Sequence, residues 1–172
     1  NVLKLSTGIE LETETVFDSR PALVSQGALY QHFVGWTIQS TTPIFDDSTA
    51  ILMDFRVSQE PGIHFIYLLP FSETSALIES TVYSTQLLPT LWYEKQIRGY
   101  IEKHFPKSNW EIINTESGAI PLNRKHSQPP YGISFGLNSG IMRSSTGYAF
   151  SQILFQINDL VTSIKRGDYH KT

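Results

Sequence analysis

The sequence predicts an α+β fold, a mainly antiparallel sheet with helices packed on it. Three observations point there. Strand-like segments with short, turn-rich connections crowd the first half. Two later segments switch to helical spacing of their apolar residues. Hydrophobic residues make up 40% of the 172 and charged residues 17%, enough for a sizeable core and too few charges for a coiled coil or a disordered chain.

The elements follow in order. Glu10, Glu12 and Glu14 alternate with Leu11, Thr13 and Thr15 ahead of Val16 and Phe17, as in a half-exposed strand. Tyr30 to Gln39 is rich in aromatic and β-branched residues, which favour strands. Ala50 to Ser58 alternates, with Ile51, Met53, Phe55 and Val57 on one face and Leu52, Asp54 and Arg56 on the other. Pro61-Gly62 turns the chain, and Ile63 to Leu69 returns as the second arm of a hairpin. Pro70 to Thr74 turns again into a strand over Ala76 to Tyr83, so these segments form an antiparallel meander. Pro89 to Phe105 reads as a helix with Tyr93, Ile97, Tyr100, Ile101 and Phe105 on one stripe. Trp110 to Asn114 reads as a strand, and Arg124 to Gly132 as a polar, Pro-containing loop. Phe150, Ile153, Leu154, Ile157, Leu160, Val161 and Ile164 keep helical spacing up to a stop at Lys165-Arg166-Gly167.

Composition removes several functions. A net charge of -3 gives no basic field for nucleic acid. With no cysteine there is no disulfide scaffold, no thiolate nucleophile and no Cys-ligated metal. The five histidines show no HxxxH or HxH spacing, so no metal site is expected. No GxSxG elbow supports a hydrolase, and no GxGxxG or lysine-bearing phosphate loop occurs. No apolar run reaches the roughly 18 residues of a spanning helix.

Three groups of residues could carry chemistry. Glu79 shares a strand face with Leu77, Thr81 and Tyr83, and apolar neighbours favour the neutral form of a carboxyl group. It could donate a proton near neutral pH, or be a solvent-facing strand residue. Asp54 and Arg56, two apart on one face, could orient an acid or form a structural ion pair. The stretch from Gly136 to Tyr148 leads three glycines and several hydroxyl residues into the last helix. Such a turn could hold a cofactor ring or phosphate, or simply cap the helix.

Seven segments, in order over about positions 16 to 160, resemble the lycopene cyclase family of flavoproteins. They are Val16-Phe17-Asp18-Ser19-Arg20, Tyr30-Gln31-His32-Phe33-Val34-Gly35-Trp36 and Leu52-Met53-Asp54-Phe55-Arg56. Phe65-Ile66-Tyr67-Leu68-Leu69-Pro70-Phe71 and Ala76-Leu77-Ile78-Glu79-Ser80-Thr81 follow. Glu116-Ser117-Gly118-Ala119-Ile120-Pro121-Leu122 and Ser144-Ser145-Thr146-Gly147-Tyr148 complete the set. Family members begin with a dinucleotide-binding βαβ unit that is missing here. The resemblance therefore implies the middle of a longer enzyme. Residues 1–20 would end a dinucleotide-binding domain, 21–122 would form the substrate-binding antiparallel sheet with helix 89–105, and 123–172 would return to the flavin and form the long helix.

The resemblance also implies a function. Reduced FAD, with NAD(P)H as reductant, would assist proton-initiated cyclisation of linear carotene ends, an isomerisation. Glu79 would be the acid–base residue, and Asp54 and Arg56 would hold it or line the site. Asp18, Gly136, Gly140, Ser145, Thr146 and Gly147 would bind the cofactor. Phe33, Trp36, Tyr67 and Trp92 would bind substrate and shield a cation. The substrate implies a peripheral membrane contact, in the cytoplasm of a bacterium or in a plastid. Two alternatives stay open: a flavin oxidoreductase or monooxygenase of related fold, and a non-catalytic binder of an apolar polyprenyl ligand.

Overall fold

The computed structural model describes residues 2–20, 27–122, 132–143, 145 and 147–168, with Asn138 described by its backbone only. The chain divides into two units, one formed by Asn1–Gln26 with Leu122–Thr172 and the other by Gly27–Pro121.

In the first unit the glutamate alternation gives a short hairpin of β1 (Val2–Lys4) and β2 (Glu10–Glu12). Strand β3 (Phe17–Asp18) follows.

The second unit holds the sheet. Its strands are β4 (Tyr30–Ser40), β5 (Ile51–Asp54), β6 (Ile63–Ser72), β7 (Ser75–Ser84) and β8 (Trp110–Pro121), with helix α1 (Thr90–His104) between β7 and β8. They pair antiparallel in the order β5-β6-β7-β4-β8, so the expected meander is present as β5-β6-β7. Strand β8 runs on to Pro121, well past the expected Asn114, because β4 offers it a full-length partner.

Alternation then sorts side chains onto two faces. Val34, Trp36, Ile38, Ile66, Leu68, Ala76, Ile78 and Val82 point to one face and are buried there against α1. Pro89 precedes the helix in an extended conformation, and Tyr93, Ile97, Tyr100 and Ile101 supply its buried stripe. Each fully buried side chain of that size stabilises by about 1.5–3 kcal/mol. His32 and His64 lie buried on this face as well. His32 bonds to the Tyr93 hydroxyl and to Ser84 Oγ at 2.8 Å. His64 donates from Nδ1 to the Ser58 carbonyl at 2.8 Å and bonds through Nε2 to Ser80 Oγ at 2.9 Å. Burial lowers the pKa of both histidines, which suits neutral core residues.

The alternation expected over Ala50 to Ser58 does not hold. Ile51 pairs with Leu68 and Asp54 with Ile66, so β5 spends three residues where β6 spends two. Met53 absorbs the extra residue in the left-handed region, at φ 58°. This is a bulge, and it turns Asp54 to the same face as Ile51.

The first unit resumes with β9 (Ile133–Ser134), parallel to β3, then a 3-10 turn over Gly136–Ser139 and helix α2 (Phe150–Arg166). Gly167, at φ 71°, ends α2 as the sequence predicts. Among the described residues no helix is long and apolar enough to cross a membrane. The loop expected over 124–132 lies outside the described residues except for Gly132.

Candidate active site

On the sheet face opposite α1, the register places side chains in rows that cross four strands. One row is Tyr67, Glu79, Gly35 and Glu116. The row beside it is Phe65, Thr81, Phe33 and Gly118. Leu77 on one side and Tyr83 on the other extend the surface along β7. Phe65 is fully buried, and its ring meets the edges or faces of Phe55, Tyr67 and Tyr83 at centroid distances of 5.2–5.7 Å. Glu79 thus sits half-buried in an aromatic surface.

Two glycines shape this face. A Cβ on Gly35 would stand 3.1 Å from Glu116 Cγ, 3.1 Å from Leu77 Cδ1 and 3.3 Å from Glu116 Oε1, so the Glu116 side chain lies folded over Gly35. A Cβ on Gly118 would stand 2.8 Å from Phe33 Cζ, so the Phe33 ring covers Gly118.

The Glu79 carboxyl is pushed up to about 7. Burial is the main cause, since a carboxylate loses hydration among aromatic rings. The Thr81 hydroxyl, donating to Glu79 Oε1 at 2.6 Å, works against it. The charge of Glu116 and a hydrogen bond between the two carboxyl groups raise it further. A carboxyl group poised there can donate or accept a proton near neutral pH.

The other expected site residues divide between the faces. Phe33 and Tyr67 stand on the Glu79 face. Trp36 and Trp92 do not. Trp36 is 3% exposed in the helix-side core, tilted against Trp110 with Arg98 over both rings, and Trp92 packs on His64 and Tyr93. Asp54 and Arg56 are also on the helix side. Asp54, 6% exposed, accepts from Arg56 N, Nε and Nη2 at 3.0, 2.8 and 2.7 Å and from the Tyr100 hydroxyl at 2.9 Å. Those bonds, led by the Arg56 guanidinium, hold its carboxyl well below the usual range. The bulge at Met53 therefore denies Asp54 and Arg56 any contact with Glu79. A cavity of about 350 Å³ lined by Ile51, Leu68, Tyr100, His104 and Phe105 also lies on the helix side.

The residues expected to hold a cofactor belong to the first unit, where Asp18 and the turn from Gly136 to Gly140 come together. Ile133 N–H donates to the Val16 carbonyl at 2.8 Å and Phe135 N–H to the Asp18 carbonyl at 2.9 Å, which brings Gly136 beside Ser19. Gly132 permits this crossing, because a Cβ there would collide with the Val16 carbonyl oxygen. Gly136 N–H donates to Gln156 Oε1 of α2 at 2.8 Å, and Gly140 closes the 3-10 turn in a left-handed conformation. Asp18 chelates Arg20 through its N, Nε and Nη2 at 3.1, 2.9 and 2.7 Å, which pulls its carboxyl down to about 2. Ser145 is exposed near Gly147, while Thr146 lies outside the described residues.

Sequence reasoning missed Glu116 and Gly35 as neighbours of Glu79. They are 37 and 44 residues from it respectively, and only strand pairing brings the three into one row.

The architecture is that of a known class. It is similar to the crystal structure of a geranylgeranyl bacteriochlorophyll reductase-like protein from Thermoplasma acidophilum, with a TM-score of 0.54 over 86% of this chain and 37% of that one. Identity is 14%, so the likeness is one of fold. The chain belongs to the lycopene cyclase protein family, whose pattern matches residues 1–169. It is 29% identical to lycopene beta-cyclase of a Paracoccus species over 171 residues, covering 93% of this chain and 43% of that protein. Similar matches are lycopene beta-cyclases of Pseudescherichia vulneris, 27% identical over 87% of this chain, and Pantoea ananas, 29% identical over 86%. The chain spans 40% of the length of each of these last two.

Proposed function

We propose that this chain is the substrate-side portion of an FAD-dependent lycopene β-cyclase that closes the ends of a linear carotene by proton transfer. One observation carries the reading: Glu79, pushed up to about 7, sits in an aromatic surface made by Phe33, Phe65, Tyr67 and Tyr83. Glu79 gives its proton to the terminal double bond. The O–H bond breaks, a C–H bond forms, and the cation draws electrons from a neighbouring double bond to close a six-membered ring. A proton then leaves carbon, so the product is an isomer of the substrate. Aromatic faces stabilise the cation and exclude water.

Asp18 and the glycine turn at Gly136 and Gly140, with Ser145 and Gly147, would hold a flavin, and Thr146, expected to join them, lies outside the described residues. The parallel pairing of β3 with β9 sets Gly136 next to the segment that carries Asp18. Reduced flavin, with NAD(P)H as its reductant, would supply negative charge that favours the cation. The membrane-dissolved substrate is reached from the membrane surface.

The test is Glu79→Gln in the FAD-loaded, full-length cyclase that carries this chain. It keeps size and hydrogen bonding but removes the transferable proton. Cyclisation should fall by at least about 10²-fold, with FAD content and thermal stability near those of the parent. Glu73→Gln, in the β6–β7 turn, should be close to silent. Near-normal cyclisation by Glu79→Gln would reject the assignment, and a product of changed mass would reject an isomerisation.

A further inference from the structure

We propose that Glu116 is the proton-sharing partner of Glu79. Its carboxylate, folded over Gly35, faces the Glu79 carboxyl and keeps the proton on Glu79 at working pH. This rests on the reading of Glu79 as the acid and names the group that sets its protonation.

The geometry is specific. Glu79 and Glu116 lie in one row on either side of Gly35. Any side chain at position 35 would occupy the space between them, since a Cβ there already meets Glu116 Cγ at 3.1 Å. Two carboxyl groups brought together across one glycine cannot both ionise freely, so one proton is held between them. Environment decides which one keeps it. Glu79 is half-buried among aromatic rings, while Glu116 is exposed to water on β8. The proton therefore rests on Glu79.

The groups facing Glu79 can be named strand by strand. From β6 comes the Tyr67 phenol, and from β7 itself the Thr81 hydroxyl and the Tyr83 phenol. Both phenols are pushed up by burial and stay neutral. From β4 comes Gly35, with no side chain. From β8 comes Glu116, the one charged group among these described neighbours. Glu116 acts through Glu79, so it is a positioning residue. Its negative charge raises the proton affinity of Glu79. When Glu79 has given its proton to carbon, the paired carboxylates favour taking one back, which restores the starting state.

The active form carries the proton, so activity falls as pH rises through the pKa of Glu79. Removing the Glu116 charge lowers that pKa and moves the falling limb to lower pH. In the full-length cyclase, Glu116→Gln should shift the limb down by about one unit. The rate would then drop by up to about tenfold at pH 8 and stay within about twofold of the parent at pH 6. Glu116→Asp keeps the charge and should restore most of the shift. A second readout needs no substrate: the infrared band of the protonated Glu79 carboxyl, identified by its loss in Glu79→Gln, should titrate at correspondingly lower pH in Glu116→Gln. A limb and band that stay in place in Glu116→Gln, or a rate loss equal at every pH, overturn the pairing while leaving Glu79 as the acid. An active Glu79→Gln overturns the acid assignment and the pairing with it.

Discussion

The two faces of the central sheet each bury a carboxyl group and treat it in opposite ways. On the helix side Asp54 receives an arginine, a backbone N–H and a phenol, and stays ionised far below its ordinary range. On the other side Glu79 receives one hydroxyl, aromatic rings and a second carboxyl group, and holds its proton up to about 7. Burial raises both groups. Partners decide the outcome. Charge-assisted hydrogen bonds override desolvation at Asp54, and nothing comparable opposes it at Glu79. A satisfied carboxylate is a structural clamp, whereas an under-satisfied one keeps a proton near neutral pH.

The largest effect that could break this contrast is on rate. Glu79→Gln should cost at least about 10²-fold in cyclisation, whereas Asp54→Asn should leave the rate per folded molecule within about threefold. An Asp54→Asn enzyme that folds normally yet loses as much activity as Glu79→Gln would show that the faces are not separate.

Stability should reverse the order. Asp54→Asn leaves the Arg56 guanidinium and the Tyr100 hydroxyl poorly matched, at a cost of about 1–3 kcal/mol, read as a lower urea midpoint. Glu79→Gln should change stability much less at pH 6.

The smallest effect sharpens the contrast through pH. The folded-state pKa of Glu79 is raised from 4.5 to about 7. Its contribution is therefore full below pH 4.5 and is lost as pH rises through about 7. For Asp54 the folded pKa is depressed, so its contribution is present above the ordinary 3.8 and is lost as pH falls through and below that value. Urea titrations across pH should show the first slope vanish in Glu79→Gln and the second in Asp54→Asn.

Much of the framework was legible in the sequence because it rests on local periodicity. The β7 alternation places Ala76, Ile78, Ser80 and Val82 against the helix and Glu79 away from it, as the spacing predicts. The stripe Tyr93, Ile97, Tyr100 and Ile101 is buried as expected. What escaped is non-local or irregular. Trp36 and Trp92 carry no mark of which face they serve until the pairing of β4 and the docking of α1 are known. Glu116 lies on a strand whose length β4 determines. Asp54 and Arg56 followed an alternation that a single left-handed residue interrupts.

That residue, Met53, makes β5 count to three while its neighbour counts to two. A strand running regularly onward from Ile51 would set Asp54 opposite Phe65, in the aromatic surface that holds Glu79. The bulge thus works as a parity correction that keeps Asp54 off the face that already holds Glu79 and Glu116. Insertions and deletions here are not equivalent. Losing Met53 would turn a three-residue step into an ordinary two-residue one and leave Asp54 facing Tyr100. Restoring regular pairing without removing a residue would carry the carboxylate through the sheet, away from its phenol and into the aromatic surface around Glu79.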